Sequence, residues 1–101
     1  MKPFILVLAA VGALSSTAVA HENFRIVGTI ARVQATQVDV KAADGQLYEI
    51  DLDAKTIVTR DKKKVAASEM RAGRDVVILA VGHDMFDLVA VEVQLSVRSL
   101  N

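Results

Sequence analysis

Apolar and polar residues alternate along most of the chain after residue 23, which is the period of β-strands that bury one face. The first alternating segment, residues 24–34, places Ile26 and Ile30 on one face and Val27 on the other. Gly28 lies inside this segment, where a missing side chain predicts a bulge or a sharp coil. We therefore expect a long and bent first strand.

Two further strands follow directly. Residues 37–42 have apolar side chains at every second position, and residues 46–52 alternate apolar with acidic side chains. The dipeptide Asp44-Gly45 between them is typical of a hairpin turn. These segments predict an antiparallel hairpin that continues from the first strand.

The second half of the chain predicts one short helix and two more strands. In chain order we expect an extended piece at 56–59, a basic loop at 60–64, a helix of one or two turns at 65–71, a strand at 75–81, a loop at 82–86 and a strand at 87–95. Gly73 is the expected stop of the helix. The last strand is expected to direct Val89, Val91, Val93 and Leu95 inward.

Five strands with a short helix between the third and fourth predict an all-β fold, a small five-stranded OB-like barrel. The long, bent, glycine-containing first strand suits this barrel, because that strand pairs in both halves of it. An open β-sandwich or roll of similar strands is the alternative. Neither topology by itself predicts a function.

Composition separates residues 1–20 from the rest. Lys2 precedes an apolar run at 4–14, and Ala18-Val19-Ala20 is a cleavage site of the A-x-A type, as in an export signal. An uncleaved membrane anchor is the alternative, but the run is too short to cross about 30 Å of hydrocarbon. We expect cleavage after Ala20, one domain over 21–96, a flexible tail over 97–101, and a periplasmic or secreted protein that does not span the membrane.

Charge and residue types weigh against two classes of function. The 12 basic and 12 acidic residues cancel and only 4% of residues are aromatic, which argues against a nucleic-acid binder. Ser68 and Ser96 lack the sequence context of a nucleophile, and Asp51 and Asp53 are expected on a solvated strand face. The chain has no cysteine for a disulfide. We predict a protein that is not an enzyme.

Several short segments carry a resemblance to known domains. They are Gly28-Thr29-Ile30, Val38-Asp39-Val40-Lys41, Asp44-Gly45, Asp53 with Thr56, Met70-Arg71-Ala72-Gly73-Arg74-Asp75-Val76-Val77 and Ala90-Val91-Glu92-Val93. Over residues 27–93 they resemble a broad family of small exported bacterial domains of unknown function with an OB-like barrel. The resemblance implies the fold and no activity.

A more distant resemblance is to the periplasmic copper- and silver-binding OB-fold proteins that work with metal efflux pumps. Those proteins hold the metal with a histidine, a pair of methionines and a tryptophan on the barrel strands. This chain has no tryptophan and no Met-x-Met sequence, so that metal site does not carry over.

Copper is nevertheless one candidate ligand. Cleavage after Ala20 would make His21 the first residue, with an α-amine and an imidazole that chelate a metal together, and His83 would add a third nitrogen suited to Cu(II). Met85 is a further candidate ligand, and Glu22 or Asp84 could add an oxygen. The alternative is an incidental terminal histidine and a solvated His83. Met70 is expected in the core.

The basic cluster Arg60, Lys62, Lys63 and Lys64 is the second candidate site. It is a contact surface for an acidic partner or anionic lipid, or alternatively a solvated face. Two functions follow. The first is an exported, non-catalytic binding or interaction module of unknown partner, without a cofactor, which uses a strand edge or this basic cluster. The second is a periplasmic copper-binding protein that uses His21 with His83.

Overall fold

Seven strands and one 3₁₀ turn make up the fold. The computed structural model describes residues 22–96, so the predicted export signal, His21 and the predicted tail lie outside the described residues. The elements are β1 (Glu22–Gln34), β2 (Gln37–Ala42), β3 (Leu47–Asp51), β4 (Ile57–Arg60), β5 (Lys63–Val65), the 3₁₀ turn (Ala67–Glu69), β6 (Asp75–Gly82) and β7 (Leu88–Leu95). The prediction of an all-β protein is confirmed.

The strands form one sheet in the order β3-β2-β1-β6-β7-β4-β5. β3 also pairs with β7, so β1, β2, β3, β7 and β6 make a closed ring of paired strands. β7 pairs in parallel with β3 at its first two residues and with β4 over Glu92 to Leu95. Both β3 and β4 therefore run alongside β7, one at its beginning and one at its end.

The core consists of the side chains that the alternating pattern directs to one side of the sheet. Burying such side chains contributes about 25 cal/mol for each Å² of apolar surface removed from water. The fully buried large side chains come from five of the seven strands, and they are Ile30, Val38, Val40, Ile50, Ile78, Leu88 and Val93.

At Gly28, β1 has a strand partner on each side. Gly28 pairs with Ala42 of β2 on one side and with Val76 of β6 on the other. A Cβ atom at Gly28 would lie against the carbonyl oxygen of Lys41 and 2.8 Å from the Cα of Ala42. The missing side chain therefore permits a close approach of two backbones. The predicted bulge is not at Gly28: the pairing of β1 with β2 shifts register between Ile30 and Arg32, so Ala31 is the extra residue.

The predicted count of five strands is too low. The extended piece and the basic loop predicted at residues 56–64 instead form β4 and β5, which pair as an antiparallel hairpin from Val58 and Val65 to Arg60 and Lys63. Both strands of this hairpin are short, and residues 60–64 are all charged. The alternation of apolar and polar residues that predicts a strand is therefore missing from this segment.

The predicted helix at 65–71 is a single 3₁₀ turn in the structure. Gly73 has the predicted positive φ of 92°, but it lies in a later turn, in which the Arg74 amide donates to the Arg71 carbonyl. The third position of a type II turn requires such a backbone, which glycine adopts without strain. No helix among residues 22–96 is long and apolar enough to cross a membrane.

The predicted inward face of the last strand is half wrong. Leu79 pairs with Glu92 and Ala80 with Ala90, so Val91 is an extra residue in β7 without a partner in β6. Such a bulge reverses the face on which the following residues lie. Val93 and Leu95 are buried as predicted, whereas Val91 is 49% exposed and its predicted place in the core is taken by Ala90.

Gly28→Ala is expected to lower the free energy of unfolding by at least about 3 kcal/mol, because the new methyl group meets backbone atoms that cannot move aside. Gly45→Ala is the matched control: its Cβ would enter open space, and only its φ of 88° is unfavourable, at about 1 kcal/mol. Urea denaturation measures both changes. Equal losses for the two variants would contradict the close approach at Gly28.

Candidate functional site

The basic hairpin, residues 57–65 of β4 and β5, holds the predicted basic cluster. Its two turn residues, Asp61 and Lys62, have φ values of 55° and 67°. Two successive left-handed residues are the signature of a type I′ turn, whose twist matches that of the flanking strands. The hairpin is therefore a regular two-stranded structure instead of the solvated loop that the sequence suggested.

The cations of the basic hairpin fall into two groups. Arg60 contacts the Glu69 carboxylate of the 3₁₀ turn, and this ion pair holds the turn end of the hairpin to the 3₁₀ turn that follows it. Lys62, Lys63 and Lys64 are all exposed, and the ion pairs formed among residues 22–96 include none of them. Three positive charges thus remain available for contact with another molecule.

The basic hairpin is also an edge of the sheet. β5 is the last strand in the order, so one side of Lys63–Val65 has no strand partner within the described part of the chain. The sequence predicted a contact surface at a strand edge or at the basic cluster, and the structure brings the two features together. Lysines on an edge strand also discourage unspecific edge-to-edge association.

The His83 loop, residues 83–87, connects β6 to β7. The His83 Nδ1 atom lies 3.0 Å from the Asp87 Oδ2 atom, and the Asp84 carboxylate accepts the Phe86 amide at 2.8 Å. Asp84, a predicted additional ligand, is therefore occupied in shaping the loop. Met85 is half-buried and packs against the core.

β1 begins beside the His83 loop. Glu22, the first described residue, pairs with Gly82, the residue that precedes His83. His21 lies outside the described residues, so the structure does not place the second predicted imidazole. Among residues 22–96, no group of three or more histidine, aspartate and glutamate side chains is arranged to hold a metal ion.

An acidic notch lies between β3 and the His83 loop. Its cavity of about 240 Å³ is lined by the carboxylates Glu49, Asp51 and Asp87 and by the apolar side chains of Leu47 and Phe86, and its lining contains no lysine or arginine. Leu47 is 52% exposed and Phe86 is 79% exposed. Sequence reasoning missed this site, because β3 and the loop are distant in sequence and an exposed aromatic in a loop has no periodic signal.

An open groove of about 870 Å³ lies along β1 around Gly28. Thr29 pairs with Lys41 on one side and Asp75 on the other, and its hydroxyl donates to the Asp75 carboxylate at 3.0 Å. The neighbouring lining is apolar, with Val27 and Val77 paired across the strands.

Three residues that the sequence predicted to have no functional role, Met70, Asp51 and Asp53, lie in the core, at the end of a strand and in a turn. Met70 is buried in the core, as predicted. Asp53 accepts the Lys55 amide at 2.9 Å and so shapes the turn before β4, whereas Asp51 is exposed at the end of β3. Neither carboxylate is paired with the other in an arrangement for acid–base chemistry.

No family model, curated protein or solved structure matches the chain.

The pKa of the Tyr48 phenol is shifted by its surroundings. Its ring is buried in the core, and its hydroxyl donates to the Asp44 carboxylate at 3.2 Å. Burial raises the pKa of the Tyr48 phenol above its usual value, and the hydrogen bond and the negative charge of Asp44 act in the same direction. All three effects favour the neutral phenol in the folded state.

The folded protein is expected to lose stability as the pH rises through the usual tyrosine pKa of about 10. In the unfolded chain Tyr48 ionises at a lower pH than in the folded one, so unfolding releases a proton there and rising pH favours the unfolded state. Tyr48→Phe should show a smaller alkaline loss of unfolding free energy in urea titrations. Parallel losses in the two proteins would contradict the role of the Tyr48 phenol.

Proposed function

We propose that the protein is an exported, non-catalytic binding module with an OB-like barrel, and that its basic hairpin binds an acidic polypeptide segment. The closed ring of five paired strands supports the barrel, and the A-x-A site at Ala20 supports a periplasmic or extracellular location. The three exposed lysines of the basic hairpin support an acidic partner.

The left-handed backbone of Lys62 carries this proposal. Glycine or asparagine is the usual residue at this place in a type I′ turn, because a lysine there costs about 1 kcal/mol. A residue in such a conformation points to a function that compensates for the cost. At the exposed tip of the basic hairpin, the feature that lysine has and glycine lacks is a positive charge on a long side chain.

An extended polypeptide fits this surface better than a flat lipid headgroup layer. The open edge of β5 presents backbone hydrogen-bonding groups in line, which a peptide strand can pair with. Lys63 and Lys64 point to opposite faces of β5, since side chains alternate along a strand. A partner strand with acidic residues on both faces would meet a lysine on each.

Lys62→Gly is expected to change stability and binding in opposite directions. It should raise the free energy of unfolding by up to about 1 kcal/mol, because glycine adopts the left-handed backbone without strain. It should weaken binding of a synthetic decapeptide of alternating glutamate and threonine by about two- to fivefold, the contribution of one exposed ion pair. Urea denaturation and fluorescence anisotropy of the labelled peptide measure the two effects.

Two controls accompany this experiment. Lys62→Arg retains both the charge and the backbone strain and should leave affinity and stability unchanged. Lys41→Gln removes an exposed charge outside the basic hairpin and should leave peptide affinity unchanged. An equal loss of affinity in Lys41→Gln and Lys62→Gly would overturn the assignment to the hairpin. Binding to phosphatidylglycerol vesicles without binding to the peptide would overturn the polypeptide partner.

Copper binding is the second candidate function, and the pairing of Glu22 with Gly82 favours it. His21 and His83 each lie one peptide bond from this pair. Paired Cα atoms are about 5.5 Å apart and bonded neighbours 3.8 Å, so the two histidine Cα atoms are separated by at most about 13 Å. Two imidazoles can share one ion across that span.

Asp87 contributes to this candidate site as an orienting group. Its carboxylate engages Nδ1 of His83, which assigns metal binding to Nε2 and holds the ring in place, as carboxylates do for metal-binding histidines. With the α-amine and imidazole of His21, the three nitrogens suit Cu(II). The His83 loop contributes one imidazole nitrogen. The other two nitrogens, the α-amine and the imidazole of His21, come together only if the chain is cleaved after Ala20.

Cu(II) titration of the protein recovered after expression of the full chain, with its N-terminus read by mass spectrometry, tests this candidate. His21→Ala and His83→Ala should each lower the affinity by more than about tenfold, and Asp87→Asn by about tenfold. Lys41→Gln is the control and should have no effect. Equal affinity of all variants, or an N-terminus other than His21 with undiminished affinity, would overturn the copper site.

A further inference from the structure

The basic hairpin and the acidic notch lie at opposite ends of one strand. β3, which carries Glu49 and Asp51, pairs with β7 at Leu88 and Val89. β4, which leads into the basic hairpin, pairs with the end of β7 up to Leu95. The length of β7 separates the two surfaces by roughly 23 Å, at about 3.3 Å for each residue. The zero net charge of the chain therefore conceals two poles of opposite sign.

Both poles carry charges that the fold itself does not use. Within the described part of the chain, the ion pairs are Arg32–Asp39, Arg60–Glu69 and His83–Asp87. The three lysines of the hairpin tip and the carboxylates Glu49 and Asp51 are outside all three pairs. Exposed positive charges on the hairpin and exposed negative charges on β3 are therefore both available for contact with another molecule.

The shape and chemistry of the acidic notch fit the tip of the basic hairpin. The cavity of about 240 Å³ is open to a long lysine side chain, whose ammonium group would meet the carboxylates that line it. Phe86 stands exposed at its rim, where a lysine ammonium group can lie over the aromatic face. Leu47 can pack against the aliphatic stem of the same lysine.

We propose that a second copy of this chain is an acidic partner of the basic hairpin, whose lysines enter the acidic notch of the next molecule. This inference rests on the proposed function and names a partner for it. Because the two surfaces differ and lie at opposite ends, the contact is head-to-tail, and each added molecule leaves one hairpin and one notch open. The association grows with concentration and weakens with salt.

Charge reversal at both poles tests this contact. One variant carries Lys62→Glu, Lys63→Glu and Lys64→Glu, and the other carries Glu49→Lys and Asp51→Lys. Asp87 is left unchanged, since it holds His83. Sedimentation velocity at low salt should show self-association of the unmodified protein, and at least about tenfold weaker self-association of each variant alone, because like charges then face each other.

An equimolar mixture of the two variants should recover the association, because the acidic hairpin of the first meets the basic notch of the second. Phe86→Ala, which leaves all charges in place, should weaken self-association by about two- to fivefold. Circular dichroism confirms that the variants are folded. A mixture that remains as monomeric as its components would overturn the head-to-tail contact, as would self-association that is insensitive to either reversal.

The glutamate–threonine peptide separates this inference from the proposed function. The notch-reversed variant retains the basic hairpin and should bind the peptide as tightly as the unmodified protein. Peptide binding without self-association would reject the second copy as the partner and leave the proposed function standing. Undiminished peptide binding by the hairpin-reversed variant would reject the proposed function itself.

Discussion

The close approach of β1 and β2 at Gly28 is the constraint on which the rest of the structure depends. Because position 28 has no side chain, β1 can pair there with β2 on one side and β6 on the other. That double pairing is what allows β3 to meet β7 and the ring of strands to close. The pairing of β1 with β6 also brings Glu22 beside Gly82, the residue before the His83 loop.

β7 links this closed ring to the two charged surfaces. Its first residues hold β3 and the acidic notch, and its last residues hold β4 and the basic hairpin. The bulge at Val91 allows a single strand to serve both partners, since it changes the twist and the buried face between the two contacts. Two surfaces of opposite charge are thus held at the two ends of a single strand.

Much of the fold could be predicted from the sequence, because local patterns encode it. The alternation in β1 to β3 and the turn at Gly45 each depend on residues close together in the chain. The bulge at Val91 could not be predicted, because it depends on the register between β6 and β7. The acidic notch could not be predicted for a similar reason, because it is formed by Glu49 and Phe86, which come from segments distant in the sequence.

The basic cluster shows what sequence and structure contribute separately. Its charge is evident from residues 60–64, but its conformation depends on the type I′ turn at Lys62 and on the Arg60–Glu69 pair.

The central claim is that the basic hairpin binds an acidic polypeptide segment, and an NMR titration of the ¹⁵N-labelled protein with the glutamate–threonine peptide tests it most directly. The largest amide shift changes should cluster at residues 62–65. Changes centred on the groove at Gly28, or spread evenly over the sheet, would contradict it.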